Sequence, residues 1–174
     1  MDKERSLICR RVETEADVEE AYRIYLSNPE YFLLASGHIP ERREIYRDRE
    51  VRPPEAELRC KSFGLWSLEG ENVAVTDHLE GYPEDDVLYL GLLLVDGGRH
   101  RQGLGRRICR EIEEMSRRRG FRRLRLSVME DNCAGLAFWR AMGYQEIRRT
   151  EQRVAGEKFH QILVMEKPLN ENTG

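Results

Sequence analysis

The nine residues Val87–Val95 (VLYLGLLLV) constrain this chain more than any other stretch. A nearly continuous apolar run of strand length is the pattern of a central strand covered on both faces. It falls far short of the roughly 20 apolar residues that a membrane-spanning helix needs. The loop Asp96–Gln102 follows, and then Leu104, Ile108, Ile112 and Met115 recur at helical spacing from Gly103 to about Arg119. Gly120 is a fitting residue for the helix C-terminus. A buried strand that hands directly to an amphipathic helix calls for a layered architecture of sheet and helices.

The rest of the chain can be placed around that unit. Ser6 to Val12 reads as a first strand, and Thr14 to Asp17 supplies N-cap chemistry for a helix that Asn28-Pro29 stops. Tyr31 to Pro54 gives a weaker signal, apolar at first and then a charged helical stretch around Glu41 to Glu50. Phe63 to Leu68 and Val73 to His78 flank the turn Glu69–Asn72 and read as an antiparallel hairpin. Leu124 to Val128 is a short strand. Asn132 is a plausible N-cap for a helix ending at Gly143, and Tyr144 to Thr150 with Phe159 to Met165 form a closing pair of strands. The expected class is α/β (α+β): a mixed, mostly antiparallel central sheet flanked by helices on both faces, not a regular βαβ array. With 174 residues, no internal repeat and no Gly-, Ser- or Pro-rich linker, the expectation is a single domain over 1–174, with a core of about 6–167 and a tail of 168–174.

Charge excludes some roles. The formal net charge is -3, which argues against a general nucleic-acid binder. Cys9, Cys60, Cys109 and Cys133 form no C-x-x-C pair, so neither a metal site nor a disulfide framework is expected. No apolar segment follows the charged N-terminus, and the reading is a cytoplasmic protein with no membrane attachment. The distribution of charge says more than the sum. Arg99 to Arg125 holds eleven Arg against three Glu, whereas Asp77 to Asp86 holds five acids and no Lys or Arg. This asymmetry suggests an anionic ligand on one side and a cationic one on the other, against the plainer reading of solvated helix faces.

The loop before the amphipathic helix carries the chemistry. A helix N-terminus presents unpaired backbone N–H groups and the positive end of the helix dipole. Gly103 and Gly105 keep side chains away from those donors, and Arg99, His100, Arg101, Arg106 and Arg107 surround the turn. The combination suits a diphosphate. It is not a Walker loop, since no Gly-Lys-Ser/Thr follows, and it lacks the spacing of a dinucleotide fingerprint.

Some 27 residues after Gly105 come Asn132, Gly135, Phe138-Trp139 and Gly143-Tyr144. The pairing of R/Q-x-x-G-x-G/A with N-x-x-A/G-x-x-F/L-Y/W-x-x-x-G-F/Y is the pattern of the GNAT superfamily of acyl-CoA-dependent N-acetyltransferases, and this chain resembles that superfamily from about Ser6 to Lys167. Asn28-Pro29-Glu30-Tyr31-Phe32 and Gly81-Tyr82-Pro83 resemble a bacterial subgroup within it. The resemblance implies acetyl-CoA as co-substrate and no metal. It implies that backbone groups of Leu93, Leu94 and Val95 meet the acetyl carbonyl and pantetheine arm, where the strand splays from its neighbour. The N–H groups of Arg101, Gln102, Gly103, Leu104, Gly105 and Arg106 would hold the pyrophosphate, with His100 beside them. Asn132 would either reach the pantetheine or simply cap its helix. Phe138 and Trp139 would line the thiol end, with core packing the competing role for Phe138.

Three positions depart from the family pattern. His100 stands where Arg or Gln is usual, and Trp139 replaces a Tyr that serves as general acid, although indole N–H cannot usefully protonate a thiolate. Tyr89-Leu90-Gly91 stands where many members carry a basic Glu. The remaining candidates for the base are Asp77, otherwise a surface carboxylate, and Tyr89, otherwise a core tyrosine. The expected function is N-acetyl transfer from acetyl-CoA to a small primary amine, cationic or neutral, by direct attack, in a monomer or homodimer. The competing readings are a non-catalytic acyl-CoA sensor and an acyltransferase for a larger acyl group on the same fold.

Overall fold

The computed structural model describes residues 6–153 and 158–170. Among these, β1 (Leu7–Arg11), β2 (Lys61–Leu68), β3 (Glu71–Glu80), β4 (Val87–Val95), β5 (Arg123–Met129), β6 (Gln145–Arg153) and β7 (Phe159–Pro168) form one sheet in the order β1-β2-β3-β4-β5-β7-β6. Every neighbouring pair is antiparallel except β4 and β5, which are parallel. A parallel pair needs a crossover. The helix α4 (Leu104–Arg118) provides it. The expected mixed, mostly antiparallel architecture is therefore what the chain adopts.

Local chemistry explains where the helices begin. Helix α1 (Glu15–Leu26) opens with a capping box, in which the Thr14 hydroxyl accepts from Asp17 N and the Asp17 carboxylate accepts from Thr14 N at 3.0 Å. Asn28-Pro29 ends α1 as anticipated, but Pro29 is also the first residue of α2 (Pro29–Ser36), a position where proline's missing N–H costs nothing. The charged stretch thought to span Glu41 to Glu50 is helical over α3 (Arg43–Asp48) only. Helix α5 (Cys133–Ala141) starts directly after its Asn132 cap.

The helices sit on both sheet faces. Leu104, Ile108 and Ile112 of α4 and Leu136 of α5 join Leu88, Leu90, Leu124, Leu126 and Val128 in one core. Val18, Ala21, Ile24 and Tyr25 of α1, with Phe32 and Ile45, join Phe63, Leu65, Val75 and Leu94 in a second core on the opposite face. At the C-terminal end, Pro168 still belongs to β7 and the buried Leu169 donates its N–H to the Arg122 carbonyl. The packed chain thus runs past the Lys167 boundary expected from the sequence, and residues 171–174 of the anticipated tail lie outside the described residues.

Strand β4 departs from the simple buried strand. Asp77 pairs with Leu92 and His78 with Leu90, so Gly91 is an extra residue in a β-bulge. The bulge switches the strand's faces. Leu88 and Leu90 point into the α4-side core, whereas Leu92 and Leu94 belong to the α1-side core and Leu93 and Val95 join the α4 side. Pairing with β5 also stops here: the register runs from Val87–Arg123 to Leu90–Leu126 and no further. Beyond Leu90 the two strands form a fork. Gly91 is exposed and Leu92 and Leu93 only half-buried, which corrects the expectation of a strand covered on both faces throughout.

Candidate active site

The fork exposes polar backbone on β4. Asp96 N–H donates to Val73 O at 2.8 Å and Leu94 pairs with Val75, so the alternation of an antiparallel ladder turns the N–H and C=O groups of Leu93 and Val95 away from β3. Leu94 is different. Its backbone is committed to β3 and its side chain is buried in the α1-side core, which removes it from the set of three expected at the fork. The Val95 carbonyl accepts from Asn28 Nδ2 at 2.9 Å and faces His100 Nε2 at 3.0 Å. His100, read as a phosphate neighbour, thus closes its own loop in this structure.

The loop itself runs through a 3-10 turn, Gly97–Arg99, into the first turn of α4. Gly103 caps that helix with φ +75°, a left-handed conformation that other residues adopt only with strain, and open space lies where its side chain would be. Arg101 also has positive φ, 61°. Arg101, Gln102 and Arg106 are exposed, and among the described residues neither Arg101 nor Arg106 has a carboxylate partner. Leu104 is a core residue, so only its backbone is available to a ligand. Gly105 packs under the Phe138 ring and Val95, with its missing Cβ 3.5 Å from Phe138 Cε2. The two motifs of the sequence therefore meet at the helix start.

The second motif is mostly structural in its contacts. Asn132 Oδ1 accepts from Gly135 N at 3.0 Å, the capping alternative, and a side chain at Gly135 would collide with the Asn132 amide. Phe138 is half-buried against the α4-side core. Trp139 stands edge-on to Phe138 at 4.8 Å and to Tyr144 at 5.1 Å between ring centroids. Tyr144 is buried, its hydroxyl 3.9 Å from Cys109 Sγ. Burial pushes the Cys109 thiol up to about 12, with Glu113 adding to the shift, so this thiol is the reverse of an activated nucleophile.

On the opposite face the bulge brings a carboxylate to the fork. Asp77 Oδ2 lies 3.2 Å from where a Gly91 side chain would begin. The sequence allowed Asp77 to be a surface carboxylate; it is largely buried, with its side chain 15% exposed, and bonded to Lys61 Nζ at 2.5 Å. Burial raises the Asp77 carboxyl to about 6, against the opposing pull of the Lys61 ammonium. Tyr25 donates its hydroxyl to Asp48 Oδ2 at 2.9 Å nearby, and Tyr25 and Tyr31 are packed in the same core. Tyr89, the other candidate, is hydrogen-bonded to the Ser127 hydroxyl and stands edge-on to Tyr82 at 6.0 Å. Ser127 is the first β5 residue past the last β4–β5 pair.

Lys61 and Ser127 escaped the sequence reading, since their partners Asp77 and Tyr89 are 16 and 38 residues away. The only local signal for Lys61 was a charge at the start of an otherwise uncharged strand. The expected division of charge changes as well. Arg119 pairs with Glu80, and Arg123 pairs with both Glu84 and Asp86. Arg123 holds the Glu84 and Asp86 carboxyls below their usual range. Much of the acidic stretch is thus matched by the C-terminal part of the Arg-rich segment, because β4 and β5 begin side by side. Among the described residues no group of three or more His, Cys, Asp or Glu could hold a metal ion, and no helix is long and apolar enough to cross a membrane.

Comparison with known proteins fits this geometry. The chain is 24% identical over 140 residues to the uncharacterized protein YkzC of Bacillus subtilis (strain 168), covering 76% of this chain and 95% of YkzC. Its fold superposes on an acetyltransferase from Thermus thermophilus with a TM-score of 0.76 and 26% identity, covering 94% and 97% of the two chains. The ribosomal-protein-S18-alanine N-acetyltransferase of Escherichia coli shares the fold at a TM-score of 0.67 and 19% identity, over 97% and 99%. The model of the acetyltransferase (GNAT) family matches residues 12–144, which include the bulge, the fork, the glycine loop and the Asn132 helix, and the chain belongs to that family.

Proposed function

We propose that the chain transfers an acetyl group from acetyl-CoA to a primary amine by direct attack. The observation that carries this reading is the position of Asp77: a carboxylate at the bulge of β4, where that strand parts from β5 and leads into the glycine loop. The residues present suit the co-substrate. Open space at Gly103, the exposed Arg101 and Arg106 and the N-terminal N–H groups of α4 favour a diphosphate. The outward-turned N–H and C=O of Leu93 and the N–H of Val95 offer strand-like hydrogen bonds to an extended amide arm. Bound there, acetyl-CoA supplies an activated thioester carbonyl.

Asp77 is the base. As the N–C bond forms, the attacking nitrogen sheds a proton to the Asp77 carboxylate, directly or through one water, and the C–S bond then breaks. A base with a pKa of about 6 is ionised at neutral pH yet still basic enough to take that proton. Lys61 keeps the carboxylate oriented. At the fork the Ser127 hydroxyl, paired with Tyr89, is placed to donate a hydrogen bond to the departing thiolate, which then takes its proton from water. The thiolate leaves unprotonated beside the α4 dipole. The acceptor is a small amine, the protein acts in the cytoplasm, and neither nucleic acid nor a membrane is a partner.

The test is release of free CoA thiol from acetyl-CoA with a panel of amines, alongside calorimetric titration with CoA. Amine-dependent thiol release supports the reading. CoA binding with no turnover by any amine would instead support the acyl-CoA sensor, which the Trp139 replacement favours. Absence of CoA binding would remove both.

A further inference from the structure

We propose that Asn28 is a positioning residue that fixes the phosphate-binding loop to the end of α1, and this inference rests on the CoA-binding part of the proposed function. Asn28 is 7% exposed and lies 67 positions from the loop in sequence. Its amide nitrogen contacts Ile24 O at 2.9 Å, Ser27 Oγ at 3.1 Å and Val95 O at 2.9 Å. Two of these oxygens are carbonyls, which only accept, so the amide must present its NH2 to them; an aspartate would set charge against carbonyl oxygens. Val95 is where β4 ends and the loop starts, and its carbonyl is shared with His100 from inside the loop.

Three further contacts secure the same junction. Gly97 N donates to Ser27 Oγ at 2.9 Å, while Ser27 Oγ donates to Ile24 O at 2.6 Å. Arg23 reaches Asp96 at 2.7 Å, and Asp96 accepts from Gly98 N at 3.0 Å. At Gly97 the approach is so close that a Cβ would lie 2.0 Å from the Ser27 carbonyl oxygen. These are contacts to the loop's near side. They leave its far side, with Arg101, Gln102 and Gly103, exposed for a ligand.

A loop held by a buried amide keeps its N–H groups converged before a ligand arrives, so affinity is not lost to ordering. The consequence is specific to the diphosphate end of the co-substrate, remote from Asp77. The variants are Asn28→Ala, which removes the amide, and Gly97→Ala, which pushes the loop off α1 while leaving Asn28 intact. Calorimetric titration with CoA should show at least tenfold weaker binding for both. With acetyl-CoA and the best amine of the panel, KM for acetyl-CoA should rise by a similar factor while kcat stays within threefold and the amine KM within twofold. Unchanged CoA affinity in folded Asn28→Ala or in Gly97→Ala, or parallel loss in the KM of both substrates with a fall in kcat, would overturn the positioning role and leave the proposed function standing. If Asn28→Ala does not fold, Asn28→Asp, which keeps the shape but sets a carboxylate against the Val95 carbonyl, takes its place beside Gly97→Ala. A wild-type chain that binds no CoA removes the proposed function and this inference together.

Discussion

The paired and the forked halves of the β4–β5 unit contain similar residues but live in different surroundings. In the paired half, Leu88, Leu90, Leu124 and Leu126 interlock under α4, and all four are buried. In the forked half, beyond Leu90 and Leu126, Gly91 is exposed, Leu93 and Val95 turn polar backbone outward, and Ser127 and Asp77 bring polar side chains to the gap. The first half stores stability and the second gives it up to make a site. If that division holds, substitutions should separate cleanly into those that change folding and those that change chemistry.

The largest expected effect is on stability. Leu124→Ala, at a fully buried position of the paired half, should cost about 2–5 kcal/mol in chemical denaturation while kcat per folded molecule is unchanged. A fall in kcat at full folding would break the division. Next comes Asp77. Asp77→Asn alone strands the buried Lys61 ammonium, so the informative variant combines it with Lys61→Met. That pair should fold, bind CoA and turn over about 100-fold more slowly, within the range of general-base loss. Because the Asp77 carboxyl is raised to about 6, wild-type kcat/KM should climb with pH as this group ionises, fully active above and inactive below. The variant should lack that limb in a pH–rate profile, and a limb that survives would assign the base elsewhere.

A smaller effect is expected at the loop. Gly103→Val, at a left-handed position with open space before it, should weaken CoA about tenfold, or about 1.4 kcal/mol. Strain from the positive φ adds a modest loss in melting temperature. Unimpaired CoA binding would separate the loop from the site. The smallest effect belongs to Trp139→Phe. The indole is wedged between Phe138 and Tyr144, so phenylalanine should keep the aromatic wall and lower kcat by less than about tenfold. A drop of about a thousandfold with CoA affinity intact would give the indole N–H a chemical part and shift weight away from Ser127.

The two halves also differ in how far a sequence reveals them. The α4 helix, the Asn132 cap and the run Val87–Val95 were legible because each is a local pattern with a known period or a known capping chemistry. The glycine loop was legible because its residues are consecutive. The helix α2 was obscured, since Pro29 reads as a stop whether or not another helix begins there. Asp77 could be nominated but not its burial, because Lys61 and Gly91 reach it from two other strands. The pairing of Glu80, Glu84 and Asp86 with Arg119 and Arg123 depends on where β4 and β5 start, which no charge count contains. The bulge was invisible for a simpler reason. In a stretch made almost wholly of Leu and Val, switching faces leaves the hydrophobic pattern unchanged.

That single extra residue acts as a frameshift in space. Gly91 inverts the parity of everything after it: even-numbered leucines before it and odd-numbered residues after it share a face. Pairing β4 with β3 in one unbroken register, with Gly91 kept opposite Asp77, would cost no apolar content. It would also send Leu92 and Leu94 toward α4, send Leu93 and Val95 toward α1, and draw the glycine loop one residue along the sheet. Composition and length would hardly register the change, yet the two cores would exchange their linings. For anyone engineering this scaffold, the bulge at Gly91 is therefore less negotiable than any side chain of β4.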